Sequence, residues 1–75
     1  MTQQTLDVTG MKCPLPILRA KKALAALETG DELTILATDA GAPDDFAAFC
    51  KQTGHTLLAS ETLDGGVFKL VLKHK

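Results

Sequence analysis

The stretch Leu6-Asp7-Val8-Thr9-Gly10-Met11-Lys12-Cys13-Pro14-Leu15-Pro16-Ile17 changes its periodicity once, at Gly10. Before the glycine, Leu6 and Val8 alternate with Asp7 and Thr9, the period-two pattern of a half-buried strand. Beyond Pro16, Ile17, Ala20, Leu24 and Leu27 recur at helical spacing and predict one apolar stripe, with Arg19 and Lys22 lying off it. Gly30 reads as the stop of that helix. A strand feeding directly into an amphipathic helix is the first half of a crossover unit.

The rest of the chain repeats the unit once and then turns back on itself. Glu32 to Thr38 is β-rich and short. Asp39-Ala40-Gly41-Ala42-Pro43 leads into a second helix, whose first turn holds Asp44 and Asp45 at the positive end of the dipole. Phe46, Phe49 and Cys50 share the apolar face of that helix, and Gly54 ends it. Thr56 to Leu63 and Val67 to Lys73 are two further strands, joined through the hairpin signal Asp64-Gly65-Gly66. In the last strand Phe68, Leu70 and Leu72 alternate with Lys69, Val71 and Lys73. The order is βαβαββ. Crossovers through helices join parallel strands, and the closing hairpin is antiparallel. One apolar stripe per helix is satisfied when both helices cover the same sheet face. The expected fold is therefore a two-layer α/β sandwich, a four-stranded mixed sheet with two helices on one face and the other face open.

Composition agrees with one small globular unit spanning residues 1–75. The chain is 45% hydrophobic and 23% charged. Eight basic residues against nine acidic give a net charge of −1, which speaks against a nucleic-acid surface, as do three Phe with no Trp or Tyr. No apolar run approaches the roughly 18 residues of a membrane span, and the first residues lack a signal-peptide pattern. A cytoplasmic protein without membrane or direct nucleic-acid contact is expected.

The chemistry concentrates at Cys13. Proline suits the first helical position, and a second proline is tolerated within the first turn, where no intrahelical N–H bond is required. With Pro14 first and Pro16 behind it, Cys13 is placed at the N-cap. A thiolate there faces free N–H groups and the positive end of the dipole, so its pKa is expected below about 8.5, with Lys12 adding positive charge. Pro16 occupies the place where a thioredoxin-type motif carries its resolving cysteine. No histidine is near in sequence. What remains is a single nucleophilic sulfur suited to accepting a group and passing it on, or, more plainly, a cysteine tolerated as a cap. Cys13, Cys50, His55 and His74 are scattered singly, without the close pairs of a structural zinc module, so no metal is expected.

Leu6-Asp7, Gly10 to Pro16, Gly30-Asp31-Glu32-Leu33, Thr38-Asp39, Asp45-Phe46, Phe49-Cys50 and Gly54-His55 resemble the TusA/SirA-like sulfur-carrier family. The resemblance runs from about Leu6 to Lys73, and its specific element is the Cys-Pro-x-Pro motif after the first strand. It implies a βαβαββ fold like the C-terminal domain of a bacterial translation initiation factor. It also implies that Cys13 carries sulfur as a persulfide, with no cofactor. The implied donor is a pyridoxal-phosphate cysteine desulfurase or another donor such as a rhodanese, and the implied acceptor a sulfurtransferase of DsrE-like type. Family relays lead to tRNA thiolation, sulfur oxidation, or molybdenum-cofactor and selenium metabolism. Many relatives carry proline where this chain has Ala40, with Pro43 later.

Around the thiol, Met11, Leu15 and Leu18 are expected to rim an apolar docking patch with Arg19 and Lys22 as its polar flank. The plainer reading has Leu18 widening the buried face and Met11 packing under the strand end. Cys50 is expected in the core, and Asp39 as a cap of the second helix. His55 and His74 have no catalytic role in this reading, and Lys69, Lys73 and Lys75 form a solvated face. The alternative function is a non-catalytic protein- or RNA-binding module using the open sheet face.

Overall fold

A computed structural model of the chain describes residues 2–75. Its elements are β1 (Gln3–Val8), α1 (Leu15–Ala25), β2 (Glu32–Ala37), α2 (Ala42–Thr53), β3 (Thr56–Thr62) and β4 (Phe68–Lys73), with a single 3-10 turn at Asp64–Gly66. The sheet order is β1-β2-β4-β3. β1 runs parallel to β2, and β4 is antiparallel to both β2 and β3, inserted between the two crossover strands. The architecture is the expected mixed four-stranded sheet in a two-layer α/β sandwich.

The core follows from strand alternation. Leu33, Ile35 and Ala37 of β2 and Leu70 and Leu72 of β4 are buried, and Val8 closes the row on β1. Ala20 and Leu24 of α1 and Phe46, Phe49 and Cys50 of α2 cover them. Phe46 and Phe49 meet edge to face, with ring centroids 6.3 Å apart. α1 lies against β1 and β2, α2 against β3 and β4, and the two helices touch. On the opposite face Thr34 stands between Thr5 and Val71, and Leu36 between Asp7 and Lys69. Among the described residues no helix or strand covers this face. A register shift between Leu57 and Ala59 bulges β3 outward at Leu58, which is left half exposed.

Several boundaries differ from the sequence expectation. β1 begins at Gln3, ahead of the apolar alternation, because its backbone pairs with β2 from Glu32 onward. α1 ends at Ala25, well before Gly30. Its last turn tightens through Ala26 N–H to Ala23 O (3.2 Å) and Leu27 N–H to Leu24 O (3.0 Å). The Asp31 carboxylate then captures the N–H of Glu28 at 2.9 Å and pulls the chain out of the helix. Gly30, at φ 90°, belongs to that connection, and its N–H donates to His74 O. The β3–β4 connection places Gly65 and Gly66 at φ 78° and 77° and is closed by Leu63 N–H to Val67 O at 2.7 Å.

Candidate functional site

The two parallel strands end side by side, Val8 opposite Ala37, so the connections that follow β1 and β2 open at the same sheet edge. Gly10 N–H donates to Thr38 Oγ1 at 2.8 Å and fastens one connection to the other. Cys13 therefore meets the start of α2 as well as that of α1.

At α1 the structure shifts the cap by one residue. The N-cap is Pro14, whose carbonyl accepts the Leu18 N–H at 3.1 Å, and Pro16 lies in the first turn, buried. The expected N-cap position of Cys13 is corrected accordingly. Cys13 sits in the turn ahead, where Lys12 O accepts the Leu15 N–H at 2.9 Å, and the Cys13–Pro14 peptide is cis. Its own N–H donates to Asp39 Oδ2 at 3.1 Å. Its thiol is exposed, and the Asp45 carboxylate, in the first turn of α2, borders the same open cavity.

That placement reverses the expected electrostatics. Asp45, as an acceptor facing the thiol proton, is the largest influence, followed by partial desolvation and the negative charges of Asp45 and Asp39, and all push the thiol pKa up. The expectation of a lowered pKa is overturned. It counted the start of one helix and overlooked two carboxylates, Asp45 in the first turn of the other helix and Asp39 in the loop ahead of it. Asp39 likewise does not cap α2 as expected: the N-cap is Gly41, without a side-chain hydrogen bond. Asp39 Oδ1 accepts the Gly41 N–H in a loose Asx turn at 3.4 Å, leaving Oδ2 for Cys13.

Cys13, Pro14, Ile17, Asp45, Ala48 and Phe49 border an open cavity of about 280 Å³. Lys12 is exposed and borders a neighbouring depression of about 340 Å³ with Gly10, Met11, Thr38 and Asp39. Leu15 and Leu18 stand half exposed, at 50% and 53%, on one side of α1. Arg19 and Lys22 are exposed on the same helix. Met11 is half-buried and packs against the core. Cys50 is buried, and burial raises its thiol pKa. Among the described residues no group of three His, Cys, Asp or Glu is arranged to hold a metal ion, and no helix is long and apolar enough to cross a membrane.

Asp45 and Asp39 are the site residues that sequence reasoning missed. Asp39 lies in the connection that parallel pairing brings beside the first and Asp45 in the first turn of the helix that follows it, and that topology was the available signal.

The family model described as Sulfurtransferase TusA matches residues 4–74. A Neisseria meningitidis serogroup A protein, named as a candidate sulfur carrier, is 68% identical over all 75 residues of both chains. The sulfur carrier protein TusA of Allochromatium vinosum is 51% identical over 93% of this chain and 91% of its own. Among solved structures, a SirA-like protein from Desulfitobacterium hafniense superposes with a TM-score of 0.84 at 31% identity, covering 93% of this chain and 95% of that one.

Proposed function

Because this chain belongs to the TusA family of sulfurtransferases and sulfur carriers, we propose that Cys13 accepts sulfane sulfur as a persulfide and hands it to a partner protein. The observation that carries this reading is accessibility: of the two thiols, Cys13 is exposed at the rim of an open cavity while Cys50 is buried.

Both half-reactions are displacements at sulfur. Cys13 Sγ attacks the outer sulfur of a donor persulfide, and the donor cysteine leaves. An acceptor cysteine later attacks the outer sulfur of Cys13-S-SH and frees Cys13. Pro14 and Pro16 fix the start of α1 beneath the thiol, and Lys12 flanks it. Leu15 and Leu18 offer apolar contact area with Arg19 and Lys22 beside them, while Met11 supports the turn from the core side. A cysteine desulfurase fits the donor role, a rhodanese is a second source, and a DsrE-like sulfurtransferase fits the acceptor role. The relay is assigned to the cytoplasm, feeding tRNA thiolation or sulfur oxidation and trafficking.

Intact-protein mass spectrometry after incubation with a cysteine desulfurase and cysteine tests the reading beside Cys13→Ser. A reductant-sensitive gain of one sulfur in the wild type, absent in the variant, is expected. No gain from that donor, from thiosulfate or from polysulfide overturns the reading in favour of a non-catalytic binding module.

A further inference from the structure

We propose that Asp45 is a catalytic residue of sulfur transfer: it takes the Cys13 thiol proton as Sγ attacks a docked persulfide and returns it to the departing donor thiolate. The inference rests on the persulfide-carrier reading above and deepens it.

Asp45 and Cys13 border the same open cavity, and Asp45 is the largest influence on the thiol proton. Asp45 is held in the first turn of α2, where its N–H donates to Gly41 O at 2.9 Å. Its Oδ2 lies 3.5 Å from where a Cβ on Gly41 would stand, and Asp39 Oδ2 lies 4.0 Å from the same point. Two carboxylates thus converge beside one sulfur. One is tied to the backbone of Cys13, and the other shares the cavity that its thiol borders. The neighbouring Lys12 is exposed and borders the adjoining depression with Asp39.

In the free carrier this arrangement holds sulfur as a neutral thiol. A partner that closes over the cavity excludes water from it, so that the proton passes between groups already held in place, the setting in which a positioned base is effective. A thiol of high pKa is also the stronger nucleophile once its proton is gone.

The step balances without an external oxidant or reductant. The reactants are Cys13-SH and a donor persulfide R-S-SH. A bond forms between Sγ and the outer sulfur, the donor S–S bond breaks, and the proton crosses from Cys13 to Asp45 and on to the donor sulfur. The products are Cys13-S-SH and R-SH.

Two reactions of the same sulfur separate a base from a mere negative charge. Asp45→Asn keeps the shape and one acceptor oxygen but cannot take the proton. At neutral pH its alkylation by iodoacetamide is expected to rise by up to about tenfold, as removal of a neighbouring charge lowers the thiol pKa. Single-turnover sulfur loading from a cysteine desulfurase and cysteine is expected to fall by about 100-fold, the lower range for losing a positioned base. Asp45→Glu restores part of the loading. If loading in Asp45→Asn is unchanged, or rises in step with alkylation, Asp45 is only a charge and the inference is wrong. Circular dichroism checks the fold, and Asp45→Ser serves as a second variant if Asn perturbs it. A wild type that takes up no sulfur from any donor defeats the carrier reading itself, an outcome visible before any variant is compared.

Discussion

The carboxylate of Asp39 accepts the backbone N–H of Cys13 at 3.1 Å, joining residues 26 positions apart in sequence. One bond thereby links the connection after β2 to the turn before α1, and it brings a negative charge to the thiol. Replacing Asp39 by Ala removes both effects. The cost in stability is expected at about 1 kcal/mol, the net worth of one hydrogen bond. The charge of Asp39 helps raise the Cys13 pKa, so its loss must lower it. The midpoint of Cys13 alkylation against pH should move down, and the Cys13 amide should exchange faster with deuterium. An unmoved midpoint would show that Asp39 has no bearing on the sulfur.

Leu15 is half exposed one residue beyond the α1 cap, with Leu18 on the next turn of the same helix. Leu15→Ala removes apolar area that a docking partner would cover while leaving the core untouched. Thermal stability should stay within about 0.5 kcal/mol of wild type, the usual range for a surface substitution. Sulfur transfer from a protein donor should weaken at subsaturating carrier, whereas loading by polysulfide should not change. Equal transfer by the two proteins removes Leu15 from the docking surface.

Much of this architecture was legible because the period changes are clean. The switch at Gly10 and the alternation through Leu70 and Leu72 fix the element order, and the helix stripes fix the layer. The site was legible only in part. Proline at Pro14 and Pro16 located the start of α1 to within one residue, yet the residue that supplies the capping carbonyl is Pro14 itself. The electrostatics at Cys13 were not legible from its neighbours in sequence. They depend on Asp45, whose position in a first turn reads equally well as a favourable dipole interaction. Only the pairing of β1 with β2 turns that local feature into an influence on the thiol. The early end of α1 was hidden for a similar reason, since Asp31 closes the turn through its side chain.

Cys50 is 4% exposed on the inner face of α2, and burial raises its thiol pKa. Native-state labelling should therefore modify Cys13 and spare Cys50 until the protein is unfolded. Cys50→Ala should cost about 1 kcal/mol through the small void it leaves, with loading at Cys13 intact. Loss of loading in Cys50→Ala, with the fold preserved, would instead make Cys50 a participant in transfer.

The His55 ring lies between Phe49 and His74, with centroids at 5.9 and 4.9 Å, and its Nδ1 accepts the Lys75 N–H at 3.2 Å. Desolvation, then the charges of His74 and Lys75, lower its pKa. The folded state thus binds fewer protons than the unfolded state below about 6.5, the value for an unperturbed histidine. Stability must fall as pH drops from there through the folded value, and this group contributes no slope above that window. His55→Phe keeps the stacking and removes the titration. Its melting temperature should decline less than that of wild type between pH 7 and about 5.5, read by circular dichroism in this histidine range. Parallel curves would mean that His55 titrates alike in both states.

Asp31 governs the more acidic range. Its two oxygens accept the N–H groups of Glu28 and Thr2, each at 2.9 Å, which holds the α1–β2 connection against the start of β1. These bonds, that from Glu28 foremost, lower its pKa. Because the folded value is depressed, the stabilisation is complete above the unfolded value of about 3.9 and is lost as pH falls through the folded value. Asp31→Ala should therefore melt below wild type at neutral pH, and the gap should close as the pH is taken below that unfolded value. The two melting curves measured against pH check this directly. A gap that persists unchanged into acid would assign the loss to packing at a site that is only 9% exposed, and not to the ionised carboxylate.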